Sequence, residues 1–303
     1  MRKRSLPLNI PKSVILTGAT GFVGREMLNS LIYQGLNVVA ISRHPELQKA
    51  ASGLTWIGWN DYRSIDFRKS NICAVINLAI SYGHGDESES DVFASNVTLP
   101  FQLFRYCIDC GVRTIINADT FSGRSEHSYK YLQSYHQTKN ELVSLTKDLV
   151  DSNDTCFINM RLEHVFGPKD GPNKFISKII FELQMGSKSI ALTNGEQKRD
   201  FIYIYDVVDA FMSVLDHKFQ SGFFEFEVGT GRCFMVKEFC IKLAEAFSVS
   251  PKVLKFGQLD MRENEIMESV ADIKDLNDIG WYPKWSLTKA IEDMANKHTD
   301  PHK

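Results

Sequence analysis

Short apolar runs alternate along this chain with longer stretches whose apolar residues recur at helical spacing. "SVILT" (Ser13–Thr17) is such a run and ends in a glycine-rich turn. The next stretch puts Val23, Met27, Leu28, Leu31 and Ile32 on one face of a helix, with Gly35 as its stop. "LNVVAIS" predicts a second strand, and "AVINLAI" (Ala74–Ile80), "RTIINA" (Arg113–Ala118) and "CFINMR" (Cys156–Arg161) predict more. Helical patterns precede the last two, at about Phe93–Cys110 and Leu132–Val150. Near-continuous apolar strands separated by helices predict a parallel sheet covered on both faces. The expected fold is therefore α/β: a doubly wound parallel sheet of the dinucleotide-binding, Rossmann kind.

The texture changes after "VFGPKDGPNKF", where Pro168, Gly171 and Pro172 punctuate the chain. A helix, a short strand "SIALT", a helix near Val207–Val214 with Asp206 as its N-cap, a strand "FFEFEV" and a helix near Val236–Phe247 follow. This predicts a dinucleotide-binding domain over residues 1–167. A smaller mixed α/β cap domain for substrate is expected over residues 168–303, with returns to the main sheet near 200–230.

Length and charge narrow the function. The 303 residues suffice for a large core, and a net charge of -2 sets up no global basic field for nucleic acid or an anionic membrane. No apolar run reaches membrane-spanning length. The start "MRKRSLPLNIPKS" is basic but lacks the apolar core of a signal peptide, so a loose arm and a cytoplasmic protein are expected. Cys107 and Cys110 form a C-x-x-C, but no second pair and no paired histidines complete a zinc site, so they read as packed cysteines and no metal is expected.

"TGATGFVG" sets Gly18, Gly21 and Gly24 at three-residue intervals between strand and helix, with Thr20, Phe22 and Val23 among them. Glycine permits the tight turn and lets backbone N–H groups approach a pyrophosphate, which the helix N-terminus also attracts. A carboxylate for the ribose of NAD is expected about 20 residues beyond this loop. "ISRHP" supplies Ser42 and Arg43 there instead. A guanidinium suits the 2′-phosphate of NADP, so NADPH is expected over NAD(H), with Arg25 or His44 as candidate helpers.

"YHQTK" places Tyr135 and Lys139 four residues apart on one helical face. A nearby ammonium is expected to lower the phenol pKa and make Tyr135 a usable proton donor to a carbonyl oxygen, with Lys139 also holding the nicotinamide ribose. Tyr129 and Tyr131 lack a lysine at that spacing.

On these motifs the chain resembles the extended short-chain dehydrogenase/reductase superfamily, in its sugar-nucleotide epimerase/dehydratase branch. "TGATGFVG" resembles the cofactor loop, and "INLAI", with Leu78 and Ala79, resembles a strand ending beside the cofactor. "SNV" carries a matching Asn96, and "YHQTK" matches the catalytic motif. "MRLEHVFGPKD", "KRDFIYIYDVVDA", "FEVGTG" and "DIGWYPKWSL" are similar to later signatures. The resemblance implies a nucleotide-sugar substrate whose diphosphate meets Arg199, with Arg262, Lys174 and His164 as further partners, and it implies a homodimer. Two departures matter. Where the family carries a Ser or Thr at the end of the fourth strand, "NADTFSG" offers Ala118, then Asp119 and Thr120, so Thr120 is the nearest hydroxyl. The glutamate of the dehydratases' acid pair is replaced by Thr120, which argues against dehydration. The finer texture resembles 4-ketoreductases that finish CDP-linked 3,6-dideoxyhexoses, which implies hydride transfer to C4 with Tyr135 as proton donor. An NAD-dependent nucleotide-sugar epimerase and a non-catalytic NADP-binding sensor remain the alternatives.

Overall fold

The computed structural model describes residues 12–83, 87–123 and 133–299. The basic arm, Tyr129, Tyr131 and the predicted helix start at Leu132 fall outside them. The first half contains β1 (Ser13–Thr17), α1 (Phe22–Tyr33), β2 (Asn37–Ser42), β3 (Leu54–Gly58), α2 (Phe67–Ser70), β4 (Ile72–Asn77), α3 (Glu89–Phe93), α4 (Leu99–Asp109), β5 (Thr114–Thr120), α5 (Gln133–Asp151) and β6 (Cys156–Leu162). The second half contains β7 (His164–Phe166), α6 (Phe175–Gln184), β8 (Ile190–Ala191), β9 (Lys198–Arg199), β10 (Phe201–Tyr203), α7 (Ile204–Asp216), β11 (Gly222–Val228), β12 (Phe234–Met235), α8 (Val236–Ala246), β13 (Leu254–Lys255), α9 (Lys274–Asp278) and α10 (Leu287–Thr299).

Seven strands form one sheet in the order β11-β6-β5-β4-β1-β2-β3, and every pair is parallel. The sheet is doubly wound, as expected, and β11 is the return predicted from "FFEFEV". Successive β1 residues point to opposite faces. Val14 and Leu16 join a core with Met27, Leu31, Phe211 and Trp281, while Ile15 joins one with Phe104, Ile115, Leu142 and Phe157. A third core, with Phe166, Ile180, Phe201, Tyr203, Phe239 and Met294, is built mostly from residues after β6.

Three local readings need correction. β3 was not predicted: it is an edge strand whose residues are only partly buried, so its apolar signal is weak. The predicted helix before β5 starts earlier and is irregular, running through α3, a π-turn at Ala94–Thr98, and α4. Pro100 has no N–H for the Asn96 carbonyl, and the wider turn absorbs that missing bond. Asp206 is no N-cap; it lies inside α7, and its carboxylate accepts the backbone N–H groups of Lys284 (2.9 Å) and Trp285 (3.1 Å).

A polar ladder crosses the sheet near its C-terminal edge. Thr17, Asn77, Asn117, Asn159 and Glu225 are register partners on β1, β4, β5, β6 and β11. Thr17 donates to Asn77 Oδ1 (2.6 Å), Asn77 to Asn117 Oδ1 (2.9 Å) and Asn117 to Asn159 Oδ1 (2.9 Å). Asn159 donates to Asp119 Oδ2 (2.8 Å) and Glu225 Oε2 (3.0 Å). Each amide both donates and accepts, so the line is satisfied by side chains within a dry sheet. Replacing the middle link, Asn117→Leu, orphans a buried donor on Asn77 and a buried acceptor on Asn159. The expected loss is about 3 kcal/mol of stability, read as a lowered denaturation midpoint at unchanged m-value. A loss below about 1 kcal/mol would mean that water or a neighbour replaces the link.

Candidate active site

The phosphate loop is shaped by backbone contact. Gly18 has φ +68°, and a Cβ there would lie 2.5 Å from the Leu78 carbonyl carbon. A Cβ on Gly24 would lie 1.9 Å from the Gly18 carbonyl oxygen, so α1 abuts the loop too closely for any side chain. The Thr17 hydroxyl, first in the ladder, accepts the Ala79 N–H (3.2 Å) and fastens the end of β4 beside the loop. Gly21 is the N-cap of α1, with no side-chain cap bond and no acidic residue in the first turn. The first N–H groups of α1 are thus left for an anion, and the bare glycine cradle fits a dinucleotide pyrophosphate. Thr20 is exposed at the turn, and Phe22 and Val23 are half-buried. Arg25 is committed locally: it donates to the carbonyls of Lys169 (2.7 Å) and Thr20 (3.1 Å).

At the end of β2, Arg43 is mostly exposed and lies 3.6 Å from Glu87 Oε1. The other Glu87 oxygen accepts the Ser81 hydroxyl. Because β1 lies between β4 and β2, this pair spans the edge of the sheet above the glycine loop. His44 faces Glu46 at 3.3 Å. Sequence reading missed Glu87, whose sequence neighbours give no strand or helix register to place it.

Tyr135 and Lys139 are both buried on α5. The Tyr135 ring stacks on Tyr82, with centroids 4.9 Å apart and planes at 23°. Burial pushes the Tyr135 pKa well above 10.0, Tyr82 and Asp119 add to the rise, and the nearby Thr120 hydroxyl opposes it. The expected lowering by an ammonium is therefore not realised in the protein alone, because desolvation outweighs it. Lys139 donates to the Ala118 carbonyl. Burial pushes its pKa down from 10.5 to about 8, with the Asp119 carboxylate resisting. Thr120 Oγ1 also meets Ser122 Oγ at 2.9 Å, and Ser122 Oγ meets His136 Nε2 at 2.8 Å. Asn96 is a brace: its amide donates to Ser81 O (2.8 Å) and Thr138 Oγ1 (3.0 Å) and accepts the Ser81 N–H (2.7 Å).

The candidate substrate residues flank this group. Lys174 Nζ sits 3.8 Å from the Tyr82 ring centroid, one ring away from Tyr135. His164 lies against Phe121 (4.6 Å) and Phe201 (5.9 Å), which joins it to the end of β5. Burial, then the Arg199 charge, push its pKa down to about 3, so it is neutral near pH 7. Arg199 is buried and bound to Glu265 Oε1 (2.6 Å) and to the Lys198 carbonyl (2.8 Å). Arg262 is exposed in the segment that carries Glu265. Asp200 accepts the N–H groups of Thr230 (2.8 Å) and Gly231 (2.9 Å) and the Thr230 hydroxyl (2.6 Å), pinning the turn after β11. Among the described residues, no cluster of His, Cys, Asp and Glu could hold a metal ion, and no helix is long and apolar enough to cross a membrane.

Comparison with known proteins agrees with this geometry. A family model described as the NAD dependent epimerase/dehydratase family matches residues 14–229. CDP-abequose synthase of Salmonella muenchen is 35% identical over 293 residues, covering 95% of this chain and 99% of that protein. dTDP-4-dehydro-6-deoxyglucose reductase of Escherichia coli is 24% identical, covering 93% and 96%. Among solved structures, MoeE5 in complex with UDP-glucuronic acid and NAD superposes with a TM-score of 0.79 at 25% identity, covering 94% of this chain and 98% of that one. UDP-glucuronic acid 4-epimerase from Bacillus cereus shares the fold, with a TM-score of 0.77 at 21% identity and coverage of 94% and 98%.

The buried ammonium makes a signed prediction. Its folded pKa lies below the unfolded value, so the charged form costs stability at low pH and the cost fades between about 8 and 10.5. Lys139→Met is expected to be more stable than the parent by about 3 kcal/mol below that window, with the difference shrinking as pH rises through it. Denaturant melts from pH 6 to 10.5 check this; a difference independent of pH would place the charge in water.

Proposed function

The chain belongs to the NAD dependent epimerase/dehydratase family and is a nucleotide-sugar-modifying enzyme, and from that premise we propose that it is an NADPH-dependent 4-ketoreductase acting on a CDP-linked 4-keto-3,6-dideoxy sugar. The observation that carries this reading is the end-to-end likeness to CDP-abequose synthases, at 35% and 34% identity over 95% and 94% of the chain.

The residues support it. When bound, the cofactor supplies the hydride that reaches C4 of the sugar. Tyr135 then protonates the C4 oxygen. Burial raises its pKa in the protein alone and so makes it a weaker acid, and bound cofactor and substrate must offset that rise for the transfer to be efficient. Thr120 orients the phenol, and Lys139 holds the nicotinamide ribose. Arg43 binds the 2′-phosphate, for which Glu87 must yield. Arg199, Arg262, Lys174 and His164 hold the diphosphate and sugar, with Arg199 exchanging Glu265 for phosphate oxygens. Dehydration is disfavoured because the one acid at the end of β5, Asp119, accepts from Asn159 and lies 3.6 Å from Arg161, within the sheet's own polar network. Residues after 167 form the substrate-binding part. A homodimer through α4 and α5 is supported by the apolar groove that Phe93, Val97, Phe101 and Leu145 line there. The epimerase reading keeps one observation in its favour, the NAD bound to the similar solved structures.

Incubation with NADPH and CDP-4-keto-3,6-dideoxyglucose tests the proposal: cofactor oxidation matched by a reduced C4 is expected. NAD retained through purification, with epimerisation and no net oxidation of NADPH, would replace it. Tyr135→Phe is expected to keep the NADPH dissociation constant and lose at least about 100-fold in kcat; near-normal turnover would remove Tyr135 from the chemistry. Arg43→Ala is expected to weaken NADPH about tenfold, or about 1.4 kcal/mol, and NADH far less. Equal effects in parallel titrations would show that Arg43 never meets the 2′-phosphate.

A further inference from the structure

The cation offered to a 2′-phosphate already has a carboxylate beside it. Arg43 leaves the end of β2 with its side chain 74% exposed, and Glu87 Oε1 lies 3.6 Å from its Nη1. A solvated ion pair of this kind is worth little when both partners move freely. Glu87 is tied down instead. Its side chain is only 33% exposed, and its second oxygen accepts the Ser81 hydroxyl. Ser81 is buried, and one amide grips its backbone on both sides: Asn96 Oδ1 accepts the Ser81 N–H (2.7 Å), and Asn96 Nδ2 donates to the Ser81 carbonyl (2.8 Å). Ser81 Oγ also accepts the Gly83 N–H (3.2 Å). The fold therefore anchors the carboxylate by one oxygen and leaves the other beside the guanidinium.

We propose that Glu87 is a specificity-determining residue of the cofactor site: held by Ser81, it competes with the 2′-phosphate for Arg43 and so limits the preference for NADPH over NADH. This rests on the reading that Arg43 meets the 2′-phosphate. A phosphate binds a guanidinium through charge-assisted N–H bonds, the same groups that draw Glu87, and its charge repels a carboxylate held next to them. The 2′-hydroxyl of NADH is neutral and does neither. An attractive and a repulsive element thus stand side by side, and the difference between them sets the choice of cofactor. Arg43 draws the phosphorylated form, and Glu87 caps that attraction. The charge of Glu87 carries the effect rather than its shape, since a glutamine there can still accept the Ser81 hydroxyl.

Equilibrium titrations test this without turnover, using NADPH, NADH and two fragments, adenosine 2′,5′-bisphosphate and adenosine 5′-phosphate. Glu87→Gln is expected to tighten NADPH and the bisphosphate at least about threefold and to leave NADH and the 5′-phosphate unchanged. The gain is expected to shrink as salt is raised to about 1 M. It is also expected to fall away in an Arg43→Ala background, where no guanidinium is left to compete for. A gain that persists undiminished there overturns the competition. Unchanged or weaker NADPH binding in Glu87→Gln, with Arg43→Ala still selective against NADPH, overturns the role of Glu87 and leaves the NADPH reading standing. Equal weakening of all the ligands in Glu87→Gln marks a merely structural tie to Ser81 and overturns it as well. An Arg43→Ala protein that loses NADPH and NADH alike overturns the premise that Arg43 meets the 2′-phosphate, and the role of Glu87 falls with it.

Discussion

The amide ladder at the C-terminal edge of the sheet is the constraint from which the rest of the site follows. Parallel strands in a doubly wound sheet are apolar on both faces, so a polar side chain inside one is costly unless it is paired. Here Thr17, Asn77, Asn117 and Asn159 pay for one another, and Glu225 closes the line. Side-chain hydrogen bonds of this kind hold only in one register, because a slip of one residue turns every amide to the opposite face. The ladder therefore fixes where each strand ends relative to its neighbours. The glycine loop, the Ala79 turn and the Ala118–Thr120 segment, from which the site is built, leave the sheet within a few residues of it.

Burial then sets the chemistry of the pair on α5, with opposite consequences for its two members. The phenol of Tyr135 is driven toward its neutral, protonated form and the ammonium of Lys139 toward its neutral, deprotonated form. A proton donor stays protonated but becomes a weaker acid, so burial alone works against proton transfer from the phenol. A lysine that steadies anionic or hydroxyl groups does lose charge, and Asp119 limits the loss. That carboxylate also accepts from Asn159 of the amide line. The interior network thus reaches the buried pair on α5 through one residue, Asp119.

Much of this was legible in the sequence, for identifiable reasons. The strands and helices of the first half follow strong periodic signals, and the glycines of "TGATGFVG" mark contacts too close for any side chain. The ladder also had a trace, since Ile76-Asn77, Ile116-Asn117 and Ile158-Asn159 repeat one dipeptide in three strands. What could not be read was contact between distant segments. Glu87 reaches Arg43, Glu265 reaches Arg199, and Tyr82 lies between Lys174 and Tyr135. None of these partners has a spacing that betrays it, because each arrives on a loop whose path the sheet decides. The phenol's pKa was misjudged for a related reason: charge neighbours can be guessed from spacing, whereas depth of burial cannot.

A motif match does not say which of its residues touch a ligand, and the second half of the chain shows the difference. In "KRDFIYIYDVVDA" two of the three aspartates face inward to backbone: Asp200 pins the Thr230–Gly231 turn of "FEVGTG", and Asp206 pins Lys284 and Trp285 of "WYPKWSL". Three signatures far apart in sequence are in effect one structural device, two carboxylates each holding a remote turn by its N–H groups. Arg199, next to Asp200, is different in kind. Its guanidinium is buried, and among its partners are the Glu265 carboxylate and the Lys198 carbonyl. A diphosphate offers a guanidinium more acceptor oxygens and more charge than one carboxylate does. Glu265 is thus a partner that such an anion can displace. The aspartates' backbone partners are part of the fold, and exchanging them would open it. By that physical criterion Asp200 and Asp206 belong to the scaffold, whereas the side-chain partner of Arg199 can be exchanged without opening the fold.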